Sequence, residues 1–271
     1  MATGHPWRSA PIVRESRLKK ALQIASIAVF LLVWQVVAMT QLLALPSPVD
    51  TFKTFGILVV YGEPVMGHTL LEHASVSVTR VLESALIAFA AAIPTGIAIG
   101  WNRHFEYFAN TLIEIFRPIP PLAWIPIAYV LFMAYGNTVL LAQLFIVAFA
   151  VFFPTVVTII AGVKAIDPVL IDAARTLGAD EGQLLTKVVF PAIVPSVFTG
   201  IRIGLDVGWA SIVAAELIGG SGTGLGYFIM TMYNVGGRMS EIISGIIMIG
   251  IIGFLMNEVV LFVQRRVVRW A

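Results

Sequence analysis

The residues of this sequence that could handle a polar molecule stand where polar groups are unfavourable. Within the apolar run 192–218 lie Arg202, Asp206, Trp209 and Glu216. At helical spacing they fall, with Val213, within about 80 degrees of one another, while Gly200, Gly204 and Gly208 take the opposite side. A charge at membrane depth costs on the order of 2.5–3.5 kcal/mol on insertion scales, so such residues face a bundle interior, pair, or line a pathway. Arg202 and Asp206, four residues apart, are spaced to neutralise each other. Two readings stay open: a face bordering a path for a polar solute, or a pair that only fixes the rotation of the helix. A second candidate is Arg117-Pro118-Ile119-Pro120-Pro121, followed by Pro126. Proline removes a donor and clashes with the preceding turn, so a regular helix cannot run through this stretch. Broken backbone at membrane depth is tolerated where it is buried in protein or lines a cavity. Pro118, Pro120 and Pro121 are therefore pathway candidates too; the alternative is simply a kinked helix or a loop between two shorter segments, and either way the segment abuts the centre of the bundle.

Covalent chemistry finds no footing. The chain has no cysteine, so thiolate catalysis, disulfides and Cys-ligated metal are excluded. Its four histidines, His5, His68, His73 and His104, form no HExxH-type set, fall outside the predicted spans, and leave His68 and His73 as a solvated pair. The glycine-rich run at 219–226 lacks the Lys-Ser/Thr ending of a phosphate-binding loop, and no GxSxG or paired-carboxylate spacing occurs. The expectation is no catalytic residue, no metal and no cofactor on this chain, which disfavours a membrane-embedded enzyme.

These side chains must be positioned by membrane helices. A chain of 271 residues with 59% hydrophobic and 12% charged residues, and a mean hydropathy of +0.94, is too apolar for a soluble domain. Spans are predicted at 21–39, 77–100, through the proline segment, and at 138–162, 192–218 and 242–263. A cytoplasmic tail precedes them (1–20) and another follows (264–271). A short helix near 49–60 and a segment from 219 to about 241 lie outside, and 101–108 reads as a short loop. The Gly96-x-x-x-Gly100 pair gives the second span a smooth face for close packing. Although the net charge is +2, the basic residues sit at membrane borders and not in one patch, so lipid and not nucleic acid is the partner they imply. With the N-terminus inside, twelve of the 17 Lys and Arg residues fall in cytoplasmic pieces and two, Lys53 and Arg238, outside. That bias puts both termini and the loop 164–191 in the cytoplasm.

The loop carries its own start and stop signals. Asp167 can cap a helix whose first position is Pro168, Gly178 is placed to end it in a left-handed conformation, and Asp180 with Glu181 can open a second helix toward Pro191. Val169, Leu170, Ala173, Ala174 and Leu177 share one face of the first helix, and the two alanines at its centre let another surface approach closely. Asp172-Ala173-Ala174, then Gly178, then Val188-Val189-Phe190-Pro191 resembles the Glu-Ala-Ala, Gly, Ile-x-Leu-Pro signature of ABC-transporter permease subunits, with Asp in place of Glu and Val-Val-Phe in place of Ile-x-Leu. The stretches at 117–128, 161–167, 199–219 and 224–229 resemble the nitrate/sulfonate/taurine branch of these permeases, and the likeness covers roughly residues 20–270. Asp206 departs from it, standing where the branch often carries a small residue.

The resemblance implies an all-α membrane protein with six transmembrane helices of the type I ABC importer permease fold and a cytoplasmic coupling helix-turn-helix. It implies that Asp172, Ala173, Ala174, Arg175, Gly178 and Pro191 couple to an ATPase. The implied partners are two ATPase subunits carrying the ATP and Mg, a second copy of the permease, and an extracytoplasmic substrate-binding protein. The implied solute is small and anionic or zwitterionic, of the taurine/alkanesulfonate, nitrate or bicarbonate class. A self-sufficient secondary transporter is the alternative. It would be expected to show two related halves, and no repeat is visible.

Overall fold

The computed structural model describes residues 12–40 and 44–268, and every regular element among them is a helix. The sequence expectations for residues 1–11 and 269–271 lie outside the described residues. Five helices are long and apolar enough to cross a membrane: α1 (Ile12–Met39), α3 (Leu70–Trp101), α6 (Thr138–Lys164), α9 (Phe190–Gly219) with the turns preceding it, and α11 (Met239–Val267). Among the described residues a bent helix pair, counted as one, makes a sixth. Here α4 (Arg103–Phe116) gives way to a 3-10 turn at Pro121–Trp124 and then α5 (Ile125–Phe132), bent by 88°. The prolines cause the break, because Pro118, Pro120 and Pro121 supply no N–H to a ladder while Pro121 starts the next turn. The shorter helices α2 (Pro48–Val60) and α10 (Leu225–Asn234) lie at one end, α7 (Pro168–Thr176) and α8 (Glu181–Leu184) at the other.

The centre of the bundle is α6, packed between α3 and α9. Lipid is as apolar as leucine, so such packing rests on close van der Waals fit, which small residues permit. Both glycine patterns in the sequence are spent on it. A Cβ added at Gly100 would lie 2.6 Å from Val163, and one at Gly208 would lie 2.6 Å from Val151, both on α6. Trp209 ties α11 to this core by donating its indole N–H to the Ile249 carbonyl at 3.2 Å. Around α1 the arrangement is open: it touches α2 and leaves Leu22, Ile24, Phe30 and Leu32 exposed.

Several predicted boundaries move. The second span starts at Leu70 and not at 77, because Thr69 and Glu72 form a capping box that opens the helix early. Residues 103–108 belong to α4 and not to a loop; Asn102 accepts from the amides of His104 and Phe105 and starts the helix, and Ile113 packs beside Ala92, Ile99 and Val156. His73, expected to be solvated, lies inside α3 and is 1% exposed.

Candidate functional site

At one end of the bundle the chain turns through α7. Asp167 Oδ1 accepts the Val169 amide at 2.9 Å, and Gly178, at φ +85, ends the helix. The amides of Gly178 and Ala179 donate back to Arg175 and Ala174 at 2.9 and 3.1 Å, which satisfies carbonyls a helix end would leave open. Asp180 and Gln183 then form a capping box that opens α8. Between α8 and α9 the helix widens into a π-turn, Leu185–Val189, where the Phe190 amide reaches Leu185. Pro191 follows immediately, and the wider turn absorbs its missing donor. Asp172, Ala173, Arg175 and Pro191 are exposed and Ala174 half-buried, while Val169, Leu170 and Leu177 present an uncovered apolar surface. Arg175 pairs with Glu181 at 3.1 Å, and the Trp101 indole donates to the other oxygen of that carboxylate at 3.3 Å. The α7 turn is thus fastened to α8 and, through Glu181, to the end of α3.

Midway along the bundle, a cavity of about 370 Å³ opens between the bent helix pair, α6 and α9, lined among others by Arg117, Pro121, Phe153, Ile203 and Val207. Pro121 is on its wall, whereas Pro118 and Pro120 are exposed at the bend. From α9 it is Ile203 and Val207 that reach the cavity. They are apolar residues in an apolar helix, which no sequence signal sets apart.

The four polar residues of α9 share a face but not a fate. Asp206 is exposed and Arg202 half-buried, and they form no ion pair among the described residues. The expected neutralisation is absent: i, i+4 spacing permits contact without requiring it. Trp209 is turned to α11. Glu216, 0% exposed, is the anchor of a buried polar clasp at the end opposite α7. It accepts from Arg80 Nη1 at 2.8 Å, Ser77 Oγ at 2.8 Å and the Gly226 amide at 3.1 Å. His73, Ser77 and Arg80 stand at i, i+4 and i+7 on α3, one face of the helix. His73 Nδ1 takes the Gly224 amide at 3.1 Å and Ser77 Oγ takes that of Leu225 at 2.9 Å. The clasp therefore folds the glycine-rich run onto α3 and sets the start of α10. Sequence reasoning passed over Ser77 and Arg80; their polar i, i+3 spacing in a predicted span was the available signal.

A helical bundle with five or six apolar spans, a polar clasp at one end and a capped helix-turn-helix at the other defines a polytopic membrane protein. Residues 92–271 match the family described as binding-protein-dependent transport system inner membrane component, and the chain belongs to that family. It is a transmembrane permease subunit of an ABC importer, working with ATPase and substrate-binding partners. Among similar proteins, the taurine transport system permease protein TauC of Escherichia coli is 36% identical over 92% of this chain and 89% of its own. The bicarbonate transport system permease protein CmpB of Synechococcus elongatus is 32% identical over 92% and 89%. The nitrate import permease protein NrtB of Synechocystis is 33% identical over 90% and 87%. A solved structure of the MetNI methionine ABC transporter, in inward-facing conformations, superposes with a TM-score of 0.62 at 20% identity, over 74% of this chain and 94% of that one. The fold is that of a type I importer permease. Membership in a multi-subunit system sets aside the self-sufficient secondary transporter.

Proposed function

We propose that this permease imports a small anionic or zwitterionic solute of the taurine/alkanesulfonate, nitrate or bicarbonate class. It works as a homodimer over two ATPase subunits that carry ATP and Mg, and under an extracytoplasmic binding protein. The solute class is supported by the TauC, CmpB and NrtB relatives, each alike over nine-tenths of the chain. The α7 turn faces the cytoplasm, as do both termini, in line with the excess of Lys and Arg on that side. Asp172, Ala173, Ala174, Arg175, Gly178 and Pro191 belong to the coupling knuckle. The observation that carries this reading is the exposed trio Val169, Leu170 and Leu177 on a helix rigidly capped at both ends: an apolar surface outside the hydrocarbon calls for a protein partner. ATP binding draws the two knuckles together, and the bundle answers by changing the side to which its path opens. The path runs along the cavity walled by Pro121, Ile203 and Val207, with Arg202, Asp206, Pro118 and Pro120 at its border.

The test is co-purification with the ATPase and solute uptake in proteoliposomes for Gly178→Asp. Both should fall. If both are unchanged, the knuckle lies elsewhere.

A further inference from the structure

Beside the clasp, at the end opposite α7, a polar cavity of about 520 Å³ is lined by Arg80, Asn137, Thr138, Val139, Leu140 and Ser221, with Gly136 and Gly220 at its edge. Two independent sets of unused donors meet there. The first is the guanidinium of Arg80, whose side chain is only 10% exposed. Its Nη1 makes both short bonds, to Glu216 at 2.8 Å and to the Thr223 carbonyl at 2.9 Å. Its Nη2 reaches only the Thr223 hydroxyl, at 3.4 Å, and its Nε has no partner among the described residues. Two or more guanidinium N–H groups therefore remain unspent on a buried side chain that lines the cavity. The second set is the start of the 27-residue helix α6, which has no side-chain cap. The amides of Thr138, Val139 and Leu140 find no acceptor among the described residues, and the Thr138 hydroxyl is turned back to Phe132 and Tyr135. Open amides at a helix start, with the positive end of its dipole, suit an anion.

We infer that this cavity is a seat for a small oxyanion, a sulfonate, nitrate or carboxylate group, held between the free edge of Arg80 and the first amides of α6. The inference rests on the proposed orientation, in which the seat is the extracytoplasmic mouth of the permease. Glu216 cancels the net charge of Arg80 at a distance, so the seat offers directed donors and not a strong field. That suits a transporter, where a site must be favourable enough to enter and weak enough to leave. A mouth selective for anions would add a sieve in the permease behind the one in the binding protein.

The absence of cysteine gives a direct test in the reconstituted full complex. Ser221→Cys supplies the permease with one thiol at the cavity wall, to be labelled with a sulfonate-bearing and a trimethylammonium-bearing methanethiosulfonate of similar size. Labelling is read as the mass of the permease chain, and the rate ratio is normalised to that on N-acetylcysteine. The sulfonate reagent should be favoured by about fivefold or more, because its anionic group can accept the open N–H groups and the trimethylammonium group cannot. Adding Asn137→Asp should bring the ratio to parity or below. Aspartate is a good helix cap, so it fills the open amides and adds a negative charge without weakening the fold. Parity or a preference for the cation in the single variant overturns the seat, as does a preference that Asn137→Asp leaves unchanged. The importer reading is judged separately, by whether uptake requires the ATPase subunits.

Discussion

Gly224 and Glu216 fit only because one of them has no side chain. Gly224 stands at φ +120, and a Cβ on it would fall onto the Glu216 carboxylate. The close approach lets the amides of the run 224–226 reach His73, Ser77 and Glu216, so the carboxylate organises a loop as well as an ion pair. An apolar bundle closes this end with a polar knot, and the knot makes the removal of any one strand costly.

The first prediction concerns the Arg80–Glu216 pair. Removing one partner of a buried pair strands the other charge, at a cost of about 3–5 kcal/mol, whereas replacing both by apolar residues of similar size is often neutral. Glu216→Ala should therefore markedly lower the thermal stability of the purified permease. The double variant Arg80→Met with Glu216→Met should recover most of it. Thermal unfolding in detergent decides, and a double variant as unstable as the single would show that the loop contacts, not the pair, hold this end.

A second prediction addresses the glycine face of α9. Gly208→Ala places a methyl 2.6 Å from Val151 Cγ2, and overpacking of a tight core costs about 1–3 kcal/mol. Val151→Ala on α6 removes the obstructing atoms, so the two changes together should be more stable than Gly208→Ala alone. The readout is the coupling between them in a double-mutant cycle. Simple additivity would mean that the helices can separate at this point without loss.

How far the sequence could be read follows from how local each signal is. The α7 turn was legible because Asp167-Pro168, Gly178 and Asp180 carry their own capping chemistry. The glycine stripes were legible because a 3.6-residue period survives without knowledge of the neighbour. Local signals also failed where they were weighed against hydropathy: Thr69 and Glu72 spell a capping box, yet the polar residues around them read as loop. Arg80 and Glu216 are 136 residues apart, and only the packing of α3 on α9 joins them. For Arg202 and Asp206 the spacing pointed to a pair, but i, i+4 spacing permits contact without requiring it, and no ion pair joins the two among the described residues.

A third prediction concerns the ties behind the coupling knuckle. Arg175 and Glu181 are both more than half exposed, so their pair adds at most about 1 kcal/mol to stability. Its importance is mechanical, since Glu181 also holds Trp101 at the end of α3. Glu181→Gln and Trp101→Phe should leave thermal unfolding and ATPase co-purification near normal while lowering the solute moved per ATP hydrolysed. Parallel measurement of uptake and ATP hydrolysis in proteoliposomes checks this, and an unchanged ratio in both variants would remove these residues from the linkage.

The last prediction separates the path from the scaffold on a single helix. Val207 lines the central cavity of about 370 Å³ and is 36% exposed, so a larger side chain there has room and should shift stability by no more than about 0.5 kcal/mol. Trp209, two residues on, is buried and hydrogen-bonded to α11, and truncating a buried aromatic costs about 3–5 kcal/mol. Val207→Trp should therefore leave unfolding and subunit assembly intact and strongly reduce uptake, because it fills space a solute must cross. Trp209→Ala should show the reverse order, with loss of stability first and loss of uptake only in proportion to the folded protein remaining. Normal uptake in a folded Val207→Trp permease would exclude this cavity from the route. Abolished uptake in a stably folded Trp209→Ala would return the route to the polar face of α9.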